Sequence, residues 1–132
     1  MSYLSQNNAT VDYYELRIYT NGLEETFNAV TSILGVQPIE ANKNIHDSNP
    51  YGLWTYAIEV RDEDPYFDFI NKFLDIIESK FEALSQLDIH REDITIWLLY
   101  EYDQQCNMEF HPQEMLRLGG SGIVLCISCW QS

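Results

Sequence analysis

The chain has 132 residues, with 21 acidic side chains against seven basic ones and a formal net charge of −14 at pH 7. Its 45% hydrophobic and 14% aromatic content excludes a disordered acidic tail, and its length suits one domain with one core. The charge excludes direct binding to nucleic acid or to an anionic membrane surface, and it favours a cationic partner.

The first ten residues are polar and contain neither Lys nor Arg, so we expect a flexible segment over residues 1–10 and a single domain over residues 11–132. This start lacks the basic residues and the apolar run of a signal peptide, and we see no membrane-spanning stretch. The odd number of cysteines fits a reducing compartment. We therefore expect a cytoplasmic protein.

The first predicted elements are a strand and a helix. Apolar and polar side chains alternate over residues 11–20, which predicts a half-buried strand. Asn21 is the predicted N-cap of the helix that follows, and Gly35 its predicted end. The helix is indicated by apolar residues three and four apart: Leu23, Phe27, Val30 and Leu34.

A loop over residues 36–52 leads to a second predicted strand over residues 53–60. Asp64 and Pro65 then have the residue types that cap and begin a helix. An apolar stripe follows at helical spacing and predicts one continuous helix of about five turns. Its members are Tyr66, Ile70, Phe73, Ile77, Phe81 and Leu84.

The last third of the chain predicts a third strand over residues 94–102, then a reversal into a short partner strand over residues 106–110. His111 is expected to cap a brief helix that ends at Gly119 and Gly120, before a last strand over residues 123–130. The order β-α-β-α-β-β-α-β predicts an α+β fold, with a mixed or antiparallel sheet and helices packed on one face. The pattern leaves the strand pairing open.

Several segments in this order resemble the bacterial family called domain of unknown function 4279. The resemblance spans roughly residues 12–130 and rests on an ELRIY strand, LGVQP at residues 34–38, GLW at residues 52–54 and HPQEMLRLG at residues 111–119. Ile39-Glu40 departs from the basic residue or Thr that commonly follows the Pro. The resemblance implies an α+β fold and a bacterial or phage source, but no settled activity and no catalytic residues.

No motif points to catalysis or to a cofactor. Cys126 and Cys129 match C-x-x-C, but in a strand residues three apart lie on opposite faces, so we expect two small buried side chains rather than a metal or redox pair. The three histidines lack metal-binding spacing. Paired carboxylates such as Glu101 and Asp103 arise by chance among 21 acids. We expect no metal, no cofactor and no enzymatic activity, and we keep an acidic hydrolase as a third hypothesis.

The acidic excess is concentrated in the middle of the chain. Residues 62–87 carry −5, from seven acids and two bases, and residues 88–114 carry −6, from seven acids and one base. The interpretation without a binding role is that these acids form a solvated surface that keeps the protein soluble. The functional interpretation is a landing site for a basic protein, with aromatic anchors inside an acidic rim. Its candidate residues are Asp62, Glu63, Asp64, Trp97, Glu101, Asp103, Glu109, Tyr13 and Tyr19.

By size and charge the chain is similar to bacterial immunity proteins, which neutralise toxins, and to phage-encoded inhibitors of host defence. The leading hypothesis is thus a non-enzymatic inhibitor that occludes a basic, nuclease-like toxin. The alternative is a small-ligand-binding domain with a pocket lined by Trp54, Tyr56 or Trp97. A sheet buried on both sides, with Trp97 and Trp130 in the core, is weighed equally with an open aromatic face. An edge strand or that face leaves room for a homo-oligomer.

Overall fold

The computed structural model of the protein describes residues 11–41, 48–61, 67–105 and 107–131. The expected flexible segment over residues 1–10 lies outside them. The strands are β1 (Val11–Tyr19), β2 (Leu53–Arg61), β3 (Ile94–Tyr102) and β4 (Val124–Gln131). The helices are α1 (Glu24–Leu34), α2 (Phe69–Ile77), α3 (Phe81–Ser85) and α4 (Pro112–Ser121), and 3₁₀ turns cover Glu78–Lys80 and Arg91–Asp93.

The strands form one mixed sheet in the order β2-β1-β3-β4. β1 pairs antiparallel with both β2 and β3, and β4 pairs parallel with β3. A parallel pair cannot be joined by a tight turn, and α4 provides the crossover between β3 and β4. The predicted α+β fold class is confirmed, with the mixed form of the sheet.

The core lies between the helices and one face of the sheet. The alternation in β1 and β3 places every second side chain on this face, where the buried apolar residues form one cluster. The sheet contributes Tyr14, Leu16, Ile18, Trp54, Ile94, Ile96 and Leu98, and the helices contribute Phe27, Val30, Leu34, Phe69, Ile70, Phe73, Leu74, Ile77, Leu84 and Leu118.

The apolar stripe predicted for α1 is buried except at its first position. Gly35 ends the helix in the left-handed conformation, with φ of 74°. The prediction of Asn21 as the N-cap was wrong, because Leu23 occupies that position and is exposed. Asn21 instead closes the turn ahead of the helix, where its side-chain oxygen accepts a hydrogen bond from the Leu23 amide at 3.0 Å.

The helix predicted to begin at Pro65 begins at Phe69, because Asp68 caps it. The Asp68 side chain accepts hydrogen bonds from the Asn71 amide at 3.1 Å and from the Asn71 side chain at 2.6 Å. Asp64, the predicted cap, lies outside the described residues. The prediction of one continuous helix was also wrong, since the 3₁₀ turn Glu78–Lys80 separates α2 from α3.

The short strand predicted over residues 106–110 is absent from its described part, residues 107–110, which are irregular. Both edges of β3 are occupied, by β1 on one side and β4 on the other, so a hairpin partner has no edge to pair with. The segment crosses the end of the core instead, and its Phe110 ring packs edge-to-face on Phe69, with centroids 6.2 Å apart.

His111 occupies the N-cap position of α4, as predicted, with Pro112 first in the helix. The helix runs through Gly119 and Gly120 and ends at Gly122, beyond its predicted end. The Arg117 guanidinium links α4 to α2 and to the turn that follows α2. It donates hydrogen bonds to side-chain oxygens of Asn71 at 2.6 Å, Asp75 at 2.7 Å and Glu78 at 2.6 Å. None of the described helices is both long enough and apolar enough to cross a membrane.

Candidate functional site

The face of the sheet that looks away from the helices carries the outward side chains of all four strands. On β1 these are Tyr13, Glu15, Arg17 and Tyr19, and the register places Thr95, Trp97 and Leu99 of β3 beside them. Tyr13 and Trp130 are 40% and 43% exposed on this face, so they are not core residues. Of the two alternatives for this face, the sheet buried on both sides with Trp97 and Trp130 in the core is therefore wrong for Trp130, although parts of the face are buried.

The centre of this face holds a buried cation. Arg17 is only 5% exposed, and its Nε donates a hydrogen bond to Glu15 Oε1 at 2.7 Å. The guanidinium lies 4.2 Å from the centroid of the Trp97 ring, in cation–π contact. The Trp97 indole nitrogen in turn donates to Thr95 Oγ1 at 3.0 Å. Trp97 thus covers an internal ion pair and is half-buried.

Two aromatic residues and two carboxylates lie near the end of the same face at which β1 begins and β2, β3 and β4 end. Their positions are close to one another in the register of the strands. Tyr13 is the register partner of Glu59 on β2, and Glu101 is the register partner of Trp130 on β4. We call these four residues the aromatic–acidic surface. Exposed aromatic rings beside carboxylates can bury apolar stems while pairing with ammonium or guanidinium groups.

The structure brings together only part of the predicted binding set. Tyr13, Trp97 and Glu101 share the open face, and Tyr19 lies at the opposite end of β1, six residues from Tyr13. Asp103 follows the end of β3, where its carbonyl accepts a hydrogen bond from Gln131. Glu109 lines a cavity on the helix side of the sheet. The predicted residues Asp62, Glu63 and Asp64 lie outside the described residues.

Sequence reasoning missed Glu59 and assigned no role to Arg17. The alternation of β2 places Glu59 on the face opposite Trp54 and Tyr56, and this signal was sufficient to find it. The position of Glu59 beside Tyr13 depends on the pairing of β1 with β2, which the sequence pattern does not contain. The burial of Arg17 depends in the same way on Trp97, 80 positions along the chain.

A cavity of about 580 Å³ opens at the end of the sheet on the helix side. Such a volume lies within the range of small-ligand sites. Rings form much of its wall, and Tyr14 is packed against Phe67 and Phe69 with centroids 5.2 and 4.7 Å apart. Tyr100 and Phe110 complete the aromatic lining, and the polar lining residues are Asp12, Arg61, Asn107, Glu109 and His111.

The residues predicted to line a pocket lie elsewhere. Trp54 is fully buried, and its indole nitrogen donates a hydrogen bond to Thr31 Oγ1 at 3.0 Å. Tyr56 packs edge-to-face on Phe73, with centroids 6.1 Å apart. Trp97 covers Arg17 on the opposite face of the sheet. The expected lining by Trp54, Tyr56 or Trp97 was thus wrong for the cavity described here.

The cysteines of β4 lie on opposite faces, as predicted, since Cys126 shares the face of Trp97 and Cys129 shares that of Tyr100. Both are free thiols on an edge strand, and the expected burial was wrong for both, since Cys126 is only partly buried and Cys129 is exposed. Among the residues that the structure describes, no three His, Cys, Asp or Glu side chains group into a metal site. His90 instead contacts Asp88, with Nε2 and Oδ1 2.9 Å apart.

Comparisons with models of protein families, with curated proteins and with solved structures found no match. The resemblance to domain of unknown function 4279 therefore stays a prediction. The features of the molecule that bear on function are the open face, the cavity and the charge of the chain.

Proposed function

We propose that this chain is a non-enzymatic binding protein that captures a basic protein on the aromatic–acidic surface. The partner that fits the hypothesis is a nuclease-like toxin, whose Lys and Arg side chains would otherwise hold phosphates. Binding would occlude its substrate site, as in a toxin-immunity pair. The observation that carries the proposal is the placement of two exposed rings beside two carboxylates on a face that the helices do not cover.

Charge supports a cationic partner over any other. A chain with a net charge of −14 attracts a basic protein over distances of about a Debye length and accelerates their encounter. The same charge repels nucleic acid and anionic lipid. Arg17, the cation at the centre of the open face, is buried and ion-paired with Glu15, so it presents little positive charge to a partner.

The arrangement of the four residues supports a specific contact rather than a diffuse one. Aromatic side chains supply much of the binding free energy at protein interfaces, and surrounding charges orient the partner. Tyr13 and Trp130 would supply the buried contacts, and Glu59 and Glu101 the ion pairs. Each carboxylate is the register neighbour of one ring.

The test is protection of cells that express a basic nuclease toxin encoded beside the gene for this chain, together with the affinity of the purified pair. We expect protection by the wild-type protein and an affinity that falls as salt is raised. The double variant Glu59→Gln/Glu101→Gln should weaken binding by roughly tenfold or more. Trp130→Ala should weaken it by about 30-fold, as for an interface anchor.

The matched control is Glu24→Gln/Glu25→Gln, which removes the same charge from exposed positions at the start of α1. It should retain wild-type affinity and protection. Failure to protect against the toxin would reject the immunity function. Equal loss of affinity in both double variants would reject the aromatic–acidic surface as the contact site.

The cavity favours a second candidate function, the binding of a small amphipathic cation. Aromatic faces attract cations, and Asp12 and Glu109 contribute carboxylates to the lining. Arg61 and His111 also line the cavity, but the negative charge of the whole chain disfavours anionic ligands. The expected ligand class is an aromatic ring with a protonated amine.

This candidate is tested by thermal denaturation with three probes of similar size: phenethylamine, 3-phenylpropanoate and ethylbenzene. A ligand that binds the folded state raises the melting temperature, by an amount that grows with its concentration relative to its dissociation constant. We expect the amine alone to stabilise the protein, and Phe110→Ala to abolish the shift, whereas the exposed control Leu116→Ala keeps it. No shift with the amine, or an equal shift with the carboxylate, would reject this function.

A further inference from the structure

The two edges of the sheet differ in how they are protected. β2, at one edge, carries Glu59 and Arg61, and part of its outer side is covered because the Ile39 amide donates a hydrogen bond to the Thr55 carbonyl at 2.8 Å. β4, at the other edge, pairs with β3 on one side, and among the described residues no strand lies on its other side. Proteins normally protect such an edge with charges, Pro or bulges.

β4 has none of the usual protective residues. Its sequence is VLCISCWQ, without a charged residue or a Pro in a chain that carries 28 charged side chains. Its side chains are exposed on both faces of the sheet: Val124 is 55% exposed and Trp130 43% on the open face, and Ile127 is 44% exposed on the helix face. An apolar, uncharged edge strand favours pairing with another strand.

The sequence of β4 is complementary to itself when reversed about Ile127. In an antiparallel pair of two β4 strands centred there, Val124 of each copy lies opposite Trp130 of the other on the open face. Ile127 then lies opposite its own copy on the helix face. In this single register each exposed apolar side chain of one strand lies opposite an apolar side chain of the other. No like charges lie opposite each other, because β4 carries no charged residue.

We propose that β4 is a homodimer interface, in which two copies of this chain pair their β4 strands antiparallel about a two-fold axis at Ile127. A two-fold interface uses the same surface of both copies, which a self-complementary strand provides. The net charge favours β4 over other surfaces as the contact between two copies. Two chains that each carry −14 repel each other least where the contacting strands carry no charge. Pairing would join the two sheets into one of eight strands.

The dimer goes beyond the proposed capture of a basic partner and is compatible with it. Edge pairing places Trp130 of each aromatic–acidic surface beside Val124 of the other copy, whereas Tyr13, Glu59 and Glu101 lie on the other three strands and stay outside the strand pair. A single strand pair is a small interface, at the low end of specific ones, so we expect dissociation in the micromolar range.

Sedimentation of the purified protein alone tests the dimer from about 1 μM to about 500 μM. We expect a monomer–dimer equilibrium in this range for the wild-type chain. Ile127→Lys places two like charges opposite each other at the axis and should give a monomer at every concentration. Leu116→Lys, at an exposed position on α4, should dimerise as the wild type does. A monomeric wild-type chain, or unchanged dimerisation of Ile127→Lys, would overturn the proposal.

Cross-linking tests the register independently of any loss of folding. In a chain with Cys106, Cys126 and Cys129 changed to Ser, Ile127→Cys should form an intermolecular disulfide, since directly opposed antiparallel residues have Cα atoms about 4.5–5.5 Å apart. Val124→Cys is the control, because it would lie about 20 Å from its own copy. Equal cross-linking at both positions would overturn the register. Since no partner is present, either failure leaves the partner-binding hypothesis unaffected.

Discussion

Arg17 and Trp97 stack across the centre of the sheet, with the guanidinium carbon 4.2 Å from the indole centroid. Arg17 is also paired with Glu15, whose side chain is 13% exposed. Removing one partner of a buried ion pair leaves an uncompensated charge, which costs far more than the net contribution of the pair. Arg17 therefore stabilises the fold, although it lies on the face that we assign to partner binding.

Arg17→Met should therefore lower the free energy of unfolding by about 3 kcal/mol, measured by urea denaturation. The double variant Arg17→Met/Glu15→Gln should recover much of the loss, because it removes the unpaired carboxylate as well. Trp97→Leu, which removes the aromatic face above the cation and the indole hydrogen bond to Thr95, should cost less than Arg17→Met. Wild-type stability of Arg17→Met would show that the ion pair contributes nothing.

Arg117 provides a second prediction, about the contact between α4 and α2. Its guanidinium donates to three side chains on α2 and the following turn, and this fork geometry is specific to Arg. Arg117→Ala should lower the free energy of unfolding by about 1 kcal/mol, since two of the three partners are charged and partly exposed. Arg117→Lys should lose part of this, and Lys72→Ala, an exposed control on α2, should be nearly neutral.

His90 provides a prediction about pH. Its hydrogen bond to Asp88 raises the pKa of the imidazole above its ordinary value, and the charges of Asp88, Glu92 and Asp93 act in the same direction. Because the folded-state pKa is raised, the protonated ring favours the folded state below the ordinary pKa of about 6.5, and this contribution is lost as the pH rises through the raised value.

An NMR titration of the His90 ring checks this. The midpoint should lie above that of a model histidine, and Asp88→Asn should lower it, since the amide cannot pair with the imidazolium. Asn is the suitable replacement because residue 88 has φ of 61°, which Asn tolerates. A His90 midpoint that is unchanged in Asp88→Asn would contradict the assigned cause.

Two glycines of the α4 region should respond to alanine with opposite signs. Gly119 lies inside the helix with open space where a Cβ would lie, so Gly119→Ala should raise the free energy of unfolding by about 0.5–1 kcal/mol. Gly122 ends the helix with φ of 75°, and a Cβ there would lie 3.4 Å from Arg91. Gly122→Ala should therefore destabilise the protein, and thermal denaturation of both variants checks the signs.

The limits of the four observed strands were predicted from the sequence to within one or two residues, whereas several helix limits were not. The alternation in β3 is set by its own side chains, and Ile94–Tyr102 was predicted without error. The start of α2 depends on which acid caps it, and Asp64 and Asp68 have the same side chain. The prediction of a strand over residues 106–110 was wrong for a non-local reason. That strand would have needed the edge of β3 that β4 occupies.

The candidate site was less predictable than the fold. Alternation places Tyr13 and Glu101 on one face of their own strands, but only the strand order brings Glu59 and Trp130 beside them. Glu109 was grouped with these residues for its charge and its place in the strand predicted over residues 106–110, and it lies instead at the cavity on the helix side. Charge and residue type indicate that a surface exists, whereas three-dimensional pairing determines its members.

The central place of β1 affects how this chain folds during synthesis. Asp12 pairs with Tyr100, so the first strand of the sheet cannot gain one of its two neighbours until the ribosome has added nearly 90 more residues. At typical elongation rates this interval is of the order of ten seconds. Throughout it the apolar side of β1 lacks the partner strand that completes the core. Closure of the sheet is therefore a late, long-range event, and a nascent chain stalled before β3 should bind chaperones.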